Sequence, residues 1–299
     1  MAGLASSRRV FGNVLRDLRR DSGTTHLAAG LRLEVSRQVL MRLEAGQPTK
    51  LTTPQIELLL DLYRVSAEAR ETTLDLWREI RAQEKAVRSQ GNSKGFWQPY
   101  ADQVAPHFPN YLQLEADASE LCTLQLVLVP GLLQTPDYRR ALVGIEDPVL
   151  SRVDTERRVE LNTRRQSKVD EPGFVLNAFL SEAVLRHHPG GRAVMRDQLQ
   201  WLVQLGERDN ISVRVIPFEV GSHRGLTIQS FTLLTFPQLE DAPSEPPVVY
   251  IEGAMGALFL NRSDAIAEYE EAIAALRAVA LSENDTRELM SHSAKEFAE

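Results

Sequence analysis

The sequence predicts a fold of class α plus α/β: an all-helical N-terminal domain, then a mixed α/β domain with C-terminal helices. Apolar residues recur at helical spacing through about the first 65 residues. From about residue 96, alternating or continuous apolar stretches interleave with helical ones. Between them, the glycine-containing segment 91–95 breaks a charged helix. Because 299 residues are many for one core, we expect domains at 8–66 and 96–299, joined by a helical connector at 67–95.

Composition and charge restrict the class of protein. The chain has no run of about 18 apolar residues, and its first nine residues lack the apolar core of a signal peptide. Its one cysteine, Cys122, cannot form an internal disulfide, so we expect a cytoplasmic protein with no membrane partner. Net charge is −7, yet residues 1–50 carry nine basic against four acidic side chains. A basic nucleic-acid module on an acidic body explains this asymmetry, and so does chance.

The N-terminal domain begins with short amphipathic helices. Apolar spacing predicts a helix over residues 10–21. Thr24 or Thr25 can cap a second helix that buries Leu27 and Leu31. A later helix starts near Pro54 and has an apolar stripe formed by Ile56, Leu59, Leu60 and Tyr63.

The segment 36–44 has the pattern of a DNA-recognition helix. It reads as a short helix begun by a Ser36 cap and ended by Gly46. Val39, Leu40 and Leu43 lie to one side. A helix with Arg and Gln near its N-terminus, in a basic setting, has the side chains that base recognition requires. The polar side carries Arg37, Gln38, Met41 and Arg42.

This region resembles the phage-repressor and Cro type of helix-turn-helix, the lambda-repressor-like Xre class. The pattern that carries the resemblance runs through Leu15-Arg16, Gly23, Thr25, Leu33, Val35-Ser36-Arg37, Leu43-Glu44 and Gly46. The resemblance implies that the second helix lies across the DNA backbone and the third enters the major groove of double-stranded DNA. By position, Ser36, Arg37, Gln38 and Met41 then face base edges, and Thr25 and Arg42 lie near phosphates. Further arginines, at 8, 9, 16, 19 and 20, are expected to add sequence-independent attraction to phosphate.

Three residues depart from the class pattern. Glu34 stands where the turn usually has glycine, and Ala29 stands where a core leucine is usual. Gly30 costs about 1 kcal/mol relative to alanine in a helix, so we expect a weak second helix. An alternative is a helix-turn-helix fold that serves only dimerisation or packing.

The connector and the start of the second domain carry apolar anchors. Leu74, Trp77 and Ile80 form a stripe on the connector, which fits either a solvated linking helix or a dimer contact. The aromatic residues near 96–100 are expected to anchor the second domain. Strands are predicted at 124–129, 174–180, 211–216, 231–236, 248–251 and 257–260, with helices at 137–143, 154–169, around 195–203 and 266–276, and after a Ser282–Asp285 capping box.

The second domain resembles a domain of unknown function found behind an Xre-type helix-turn-helix in many actinobacterial regulators. The matching segments are 111–116, 129–138, 164–166, 181–186, 215–218 and 230–234. Members are similar to toxin–antitoxin-like regulators, often encoded beside a small partner protein. The resemblance implies a domain that receives a small-molecule effector or a protein partner.

No catalytic constellation is evident in the sequence. The His187–His188 pair lacks a nearby third metal ligand, and Cys122 has no CxxC partner. Glu115 and the Ser181–Glu182 pair fit either a pocket or a cap or salt bridge. We therefore expect no enzyme, no cofactor and no metal. The expected function is a homodimeric, sequence-specific transcriptional regulator, nucleoid-associated when bound to DNA. The alternative is an antitoxin-like interaction module that neutralises a small partner, with DNA binding secondary.

Overall fold

The chain divides into two units. The computed structural model describes residues 3–89, 96–237, 245–254 and 256–298. One unit comprises residues 1–95 with 238–245, and the other comprises 96–237 with 246–299. The first is helical and the second is a mixed α/β unit with C-terminal helices, which confirms the predicted fold class.

The described part of the first unit contains helices that share one apolar core. Leu74, Trp77 and Ile80 are buried in this core, and the Trp77 ring stacks on Phe11 with centroids 5.2 Å apart. The apolar stripe of the connector is therefore covered within the chain, and the interpretation of that stripe as a dimer contact is wrong. The helices are α1 (Gly3–Asp21), α2 (His26–Leu33), α3 (Arg37–Glu44), α4 (Thr53–Tyr63) and α5 (Ala67–Ser89).

The second helix turns a different face inward from the predicted one. Leu27 and Leu31 are 62% and 72% exposed, so the prediction that they are buried is wrong. Thr25 caps the helix by accepting a hydrogen bond from the Ala28 N–H at 3.1 Å. With that start, the face of Ala29, Gly30 and Leu33 meets the core. Small residues on this face let α2 approach its neighbours closely.

The turn between α2 and α3 explains why Gly30 is tolerated in a helix. A Cβ atom at position 30 would lie 2.8 Å from the Val35 carbonyl oxygen, closer than packed atoms allow. The Gly30 carbonyl accepts the Val35 N–H at 2.9 Å. Glu34 takes the left-handed conformation (φ 56°) that glycine adopts more easily.

We expect Gly30→Ala to destabilise the first unit, although alanine is the better helix former by about 1 kcal/mol. The methyl group overpacks the turn, and overpacking costs about 1–3 kcal/mol. Chemical denaturation measures the change in the free energy of unfolding. Ala28→Gly, at an exposed position of the same helix, is the control and loses only the propensity difference. If Gly30→Ala stabilises the unit, the close approach is contradicted.

The second unit is built on a six-stranded sheet with the order β3-β2-β1-β4-β5-β6. β1 pairs in parallel with β2, and β2 with β3, while β4, β5 and β6 extend the other side as antiparallel neighbours. The sheet therefore grows from β1 toward β2 and β3 on one side, and β4, β5 and β6 are then added on the other side of β1. The strands are β1 (Glu120–Gln125), β2 (Val175–Ser181), β3 (Ile211–Ile216), β4 (Phe231–Thr235), β5 (Val248–Gly253) and β6 (Gly256–Leu260).

Helices cover both faces of the sheet. Alternate strand residues divide into two apolar clusters, because successive side chains point to opposite faces. The helices are α6 (Phe108–Asp117), α7 (Pro136–Glu146), α8 (Arg152–Gln166), α9 (Glu182–Arg186), α10 (Arg192–Leu205), α11 (Gly225–Ile228), α12 (Ser263–Val279) and α13 (Glu283–Glu296). The larger cluster includes side chains of α6, α7, α10 and α13, and the smaller includes side chains of α12.

The first strand lies earlier than predicted. β1 ends at Gln125, and Val127 is 53% exposed in the bend that follows. The bend satisfies its backbone with side chains, since the Leu126 N–H donates to Ser230 Oγ at 3.1 Å and the Val129 N–H donates to the Tyr138 hydroxyl at 3.2 Å. The apolar run 124–129 predicts a strand over its whole length. The two contacts that end the strand at Gln125 leave no signal in apolar periodicity.

The aromatic anchors at the start of the second unit are largely as predicted. Trp97 and Tyr100 are buried against Leu112 and Leu161. Phe96 is 37% exposed and meets Trp97 edge-on. Half of the predicted capping box forms at the start of α13: Ser282 accepts the Asp285 N–H at 3.1 Å, but the Asp285 carboxylate accepts from the Ser282 hydroxyl rather than from the Ser282 N–H.

Candidate functional sites

The outer face of α3 is open to solvent. Leu40 and Leu43 are buried and Val39 is half-buried, which fixes the rotation of the helix about its axis. The residues predicted to face DNA all lie on the exposed side, and Met41 is 50% exposed. They are Ser36, Arg37, Gln38, Met41 and Arg42, and Thr25 is likewise exposed at the start of α2.

The polar side chains of this face differ in their partners. Within the described part of the chain, Arg37 and Gln38 make no hydrogen bond or ion pair. Arg42 folds toward the segment after α3, where it donates to Gln47 Oε1 at 3.2 Å and to the Pro48 carbonyl at 3.3 Å. Ser36 occupies the N-cap position but makes no side-chain cap bond. Arg37 and Gln38 are therefore available for an incoming ligand.

A buried ion cluster holds α3 against α1 and α2. Glu44, at the last turn of α3, accepts from Arg19 Nε at 2.6 Å and from Arg19 Nη2 at 3.0 Å. Its Oε2 atom also lies 2.9 Å from His26 Nε2. Arg19 donates further to the Thr24 carbonyl at 3.1 Å. One carboxylate thus links the end of α3 to both preceding helices.

The cluster corrects one expectation about phosphate attraction. Arg19 is only 8% exposed and is engaged by Glu44, so the prediction that it faces phosphate is wrong. The hydrogen bond to Glu44 raises the pKa of Arg19, which keeps it charged. Burial, followed by the Glu44 charge, raises the pKa of Tyr63. Sequence reasoning missed the cluster, although Arg19 lies one helical turn after the core residue Leu15.

The second unit contains a matching buried ion pair. Arg165 of α8 donates from Nε and Nη2 to the two oxygens of Glu115 on α6, both at 2.8 Å. Its guanidinium lies over the rings of Phe108 and Tyr111, with 5.1 and 5.7 Å to the centroids. Burial lowers the pKa of Arg165, but the Glu115 charge and hydrogen bonds outweigh it and raise the pKa overall. The guanidinium thus stays charged inside the unit.

The segment after β1 is fastened to this pair. A Cβ at Gly131 would lie 3.1 Å from the Arg165 guanidinium nitrogens, so glycine leaves room for the charged group. Asn162 joins the two by donating to the Gly131 carbonyl at 3.1 Å and accepting from Arg165 Nη1 at 3.2 Å. Segments 111–116, 129–138 and 164–166, quoted for the resemblance, therefore meet at one polar cluster.

The other candidate residues are placed apart from this cluster. Glu182 accepts the Phe218 N–H at 3.0 Å and pairs with Arg186 at 2.8 Å, so it joins two segments. Burial raises the pKa of Cys122 to about 12, which leaves the thiol protonated. Among the described residues, no group of three or more His, Cys, Asp or Glu side chains is arranged to hold a metal ion.

These features define the class of protein. A family profile for a helix-turn-helix domain matches residues 10–72, the region that presents α3 to solvent. The domain indicates a DNA-binding regulator. A second profile, described as a domain of unknown function (DUF5753), matches residues 108–292, more than half of the chain. The chain therefore belongs to the DUF5753 family.

Neither a curated protein nor a solved structure matches the chain significantly. Within the described residues, no helix combines the length and the apolar character that crossing a bilayer requires.

Proposed function

We propose that the protein is a sequence-specific transcriptional regulator of the Xre class that binds double-stranded DNA through α3. The observation that carries the proposal is the pair Arg37 and Gln38, exposed and unpaired within the described residues on a helix that the buried Glu44 cluster holds in place. It acts in the cytoplasm, associated with the nucleoid when bound, and has no enzymatic activity or cofactor.

The chemistry of the exposed face suits base recognition. Arginine matches the two major-groove acceptors of guanine, and glutamine matches the donor and acceptor of adenine. Each bidentate contact discriminates by about 1–3 kcal/mol, a factor of about 5 to 150. Arg42 and Thr25 serve as phosphate contacts that position the helix. As a homodimer, the protein places two such helices about one DNA turn apart.

We expect Arg37→Ala to weaken binding to the specific operator about 5- to 150-fold while leaving binding to unrelated duplex nearly unchanged. Arg42→Ala weakens both and lowers the dependence of affinity on salt by about one phosphate contact. Electrophoretic mobility shifts on the DNA upstream of the protein's own gene, with unrelated duplex as competitor, measure both effects at several salt concentrations.

Arg78→Ala is the matched control, because Arg78 is an exposed arginine of the same unit, paired with Asp75 on α5. Its affinity stays within about two-fold of the wild type, as expected for a surface charge away from the groove. Equal binding of all duplexes, unchanged by Arg37→Ala, contradicts base recognition by α3.

The second unit serves in the proposal as the receiver of a signal, as in toxin–antitoxin-like regulators. An antitoxin-like role with a small protein partner is the second candidate. Exposed apolar side chains at Ile145, Val149 and Val153, between 67% and 92% exposed around the start of α8, favour it. If co-purification recovers a partner that releases on Val153→Asp, the second unit is an interaction module.

A further inference from the structure

The second unit contains a cavity of about 640 Å³, partly open to solvent, that the helix-turn-helix function does not use. This volume lies within the range of small-molecule sites. Its floor is the sheet face that carries Leu121, Thr123 and Tyr250, and its walls come from α6, α7, α8 and the segment after β1. A cavity of this size between a sheet and its covering helices can hold a small organic molecule.

The cavity lies along β1 and beyond the carboxyl end of that strand. The chain leaves β1 toward β2 on one side, and its later strands begin with β4 on the other side of β1. Gln125 ends β1, and the segment 128–132 that follows lines the cavity. The pairing changes from parallel to antiparallel at β1, and the cavity includes the segment beyond the carboxyl end of that strand.

The guanidinium groups of the lining are already engaged. Arg165 is held by Glu115 at 2.8 Å, and Arg139 by Glu146 at 2.9 Å. Arg158 lies 3.6 Å from Asp147. An anionic ligand would therefore have to compete with a carboxylate at each guanidinium, and the one buried guanidinium nitrogen of this lining without a hydrogen-bond partner among the described residues is Arg158 Nε.

The unsatisfied polar atoms of the lining are mostly hydrogen-bond acceptors. The Oε1 atoms of Gln103 and Gln134 are buried without a hydrogen-bond partner among the described residues, as are the Tyr250 hydroxyl and Arg158 Nε. Gln134 and Tyr250 are only 6% and 5% exposed. The amide N–H groups of Gln103 and Gln134 donate to other groups of the protein, whereas their amide oxygens can still accept a hydrogen bond. An unpaired buried polar group costs about 1–3 kcal/mol, which a donor on a ligand can recover.

Negative charge and aromatic rings lie beside these acceptors. Glu252 follows Tyr250 by two residues on β5 and therefore shares its face. Glu252 is 55% exposed and lies 3.5 Å from His107 Nε2, which is charged only when protonated, and its charge also contributes to raising the pKa of Tyr250 and of Arg165. The rings of Tyr111 and Tyr250 have centroids 4.2 Å apart in the same wall. Carboxylates and aromatic faces both attract organic cations.

We infer that this cavity binds a small organic cation that carries several hydrogen-bond donors, with Glu252 at its charged end and the Gln103 and Gln134 amide oxygens as acceptors. This inference deepens the signal-receiving role proposed above. It rests on that role only for the expectation that the bound cation changes the affinity of the protein for DNA. The binding step itself is independent of DNA.

Three isosteric probes test the charge preference on the full-length protein. Tyramine, tyrosol and 4-hydroxyphenylacetate share a phenol and differ in ending as an ammonium, a hydroxyl and a carboxylate. Isothermal titration calorimetry without DNA measures their affinities. Tyramine is expected to bind at least ten-fold more tightly than 4-hydroxyphenylacetate, with tyrosol between them, and Glu252→Gln removes most of the difference.

Glu268→Gln is the matched control. Glu268 is an exposed carboxylate on α12 of the same unit, it pairs with Arg224 directly before α11, and it is not among the residues that line the cavity. This variant leaves the tyramine affinity unchanged. Binding of 4-hydroxyphenylacetate as tight as that of tyramine, or binding of none of the three probes, overturns the inference. DNA binding is measured separately by mobility shift, so failure of the probes to bind does not contradict the proposed regulator function, and failure to bind DNA does not contradict the inferred ligand site.

Discussion

Replacing Glu44 with alanine is expected to lower the free energy of unfolding of the first unit by about 3–5 kcal/mol. The substitution leaves the buried Arg19 guanidinium without its carboxylate and removes the contact to His26. Removing one partner of a buried pair is far more damaging than losing an exposed pair, because the remaining charge stays desolvated. Urea denaturation followed by hydrogen exchange and mass spectrometry assigns the loss to peptides of the first unit.

Asp61→Ala provides the comparison for this variant. Asp61 pairs with Arg70 in the same unit, but the two side chains are 57% and 35% exposed. An exposed pair contributes about 0–1 kcal/mol, so the control remains close to the wild type. Equal losses from Glu44→Ala and Asp61→Ala contradict the assignment of Glu44 as the anchor of α3.

Arg165→Ala is expected to lower the free energy of unfolding of the second unit by a similar amount, about 3–5 kcal/mol. The Glu115 carboxylate, 3% exposed, then has no cation beside it, and the packing over Phe108 is lost. The segment around Gly131 also loses its contact with the guanidinium. Hydrogen exchange is expected to rise in α6 and in residues 129–136.

Two further variants separate charge from packing. Arg164→Ala removes the neighbouring arginine, whose partner Glu160 is exposed, and is expected to cost less than about 1 kcal/mol. The double substitution Glu115→Leu with Arg165→Met removes both charges and keeps apolar volume, so it recovers much of the lost stability. A double variant no more stable than Arg165→Ala contradicts the buried-charge explanation.

Periodicity was sufficient for the architecture of the first unit but not for its buried charges. The apolar stripes of α1, α4 and α5 follow helical spacing, and the stripe of α3 turns Arg37 and Gln38 outward. Leu27 and Leu31 were misplaced because the small face of Ala29 and Gly30 sets the rotation of α2, which depends on the close approach to Val35.

The second unit shows where local patterns end. Alternation and apolar runs predict its strands. The prediction for β1 is misplaced because side chains outside the run bind the backbone of the bend after it: Ser230, 104 residues from Leu126 in sequence, and Tyr138 on α7. The Glu115–Arg165 pair spans 50 residues of sequence and has no local signal. The cavity likewise depends on how α6, α7 and α8 lie on the sheet, which a single sequence does not specify.

The central claim is that α3 distinguishes base pairs, and selection from a random duplex library tests it most directly. The full-length protein is mixed with the library at physiological salt, and bound duplexes are sequenced after several rounds, in parallel with Arg37→Ala and Gln38→Ala. We predict an enriched motif for the wild type that loses its preference at particular positions in each variant. Enrichment of no motif by the wild type, or of the same motif by all three proteins, would contradict the claim.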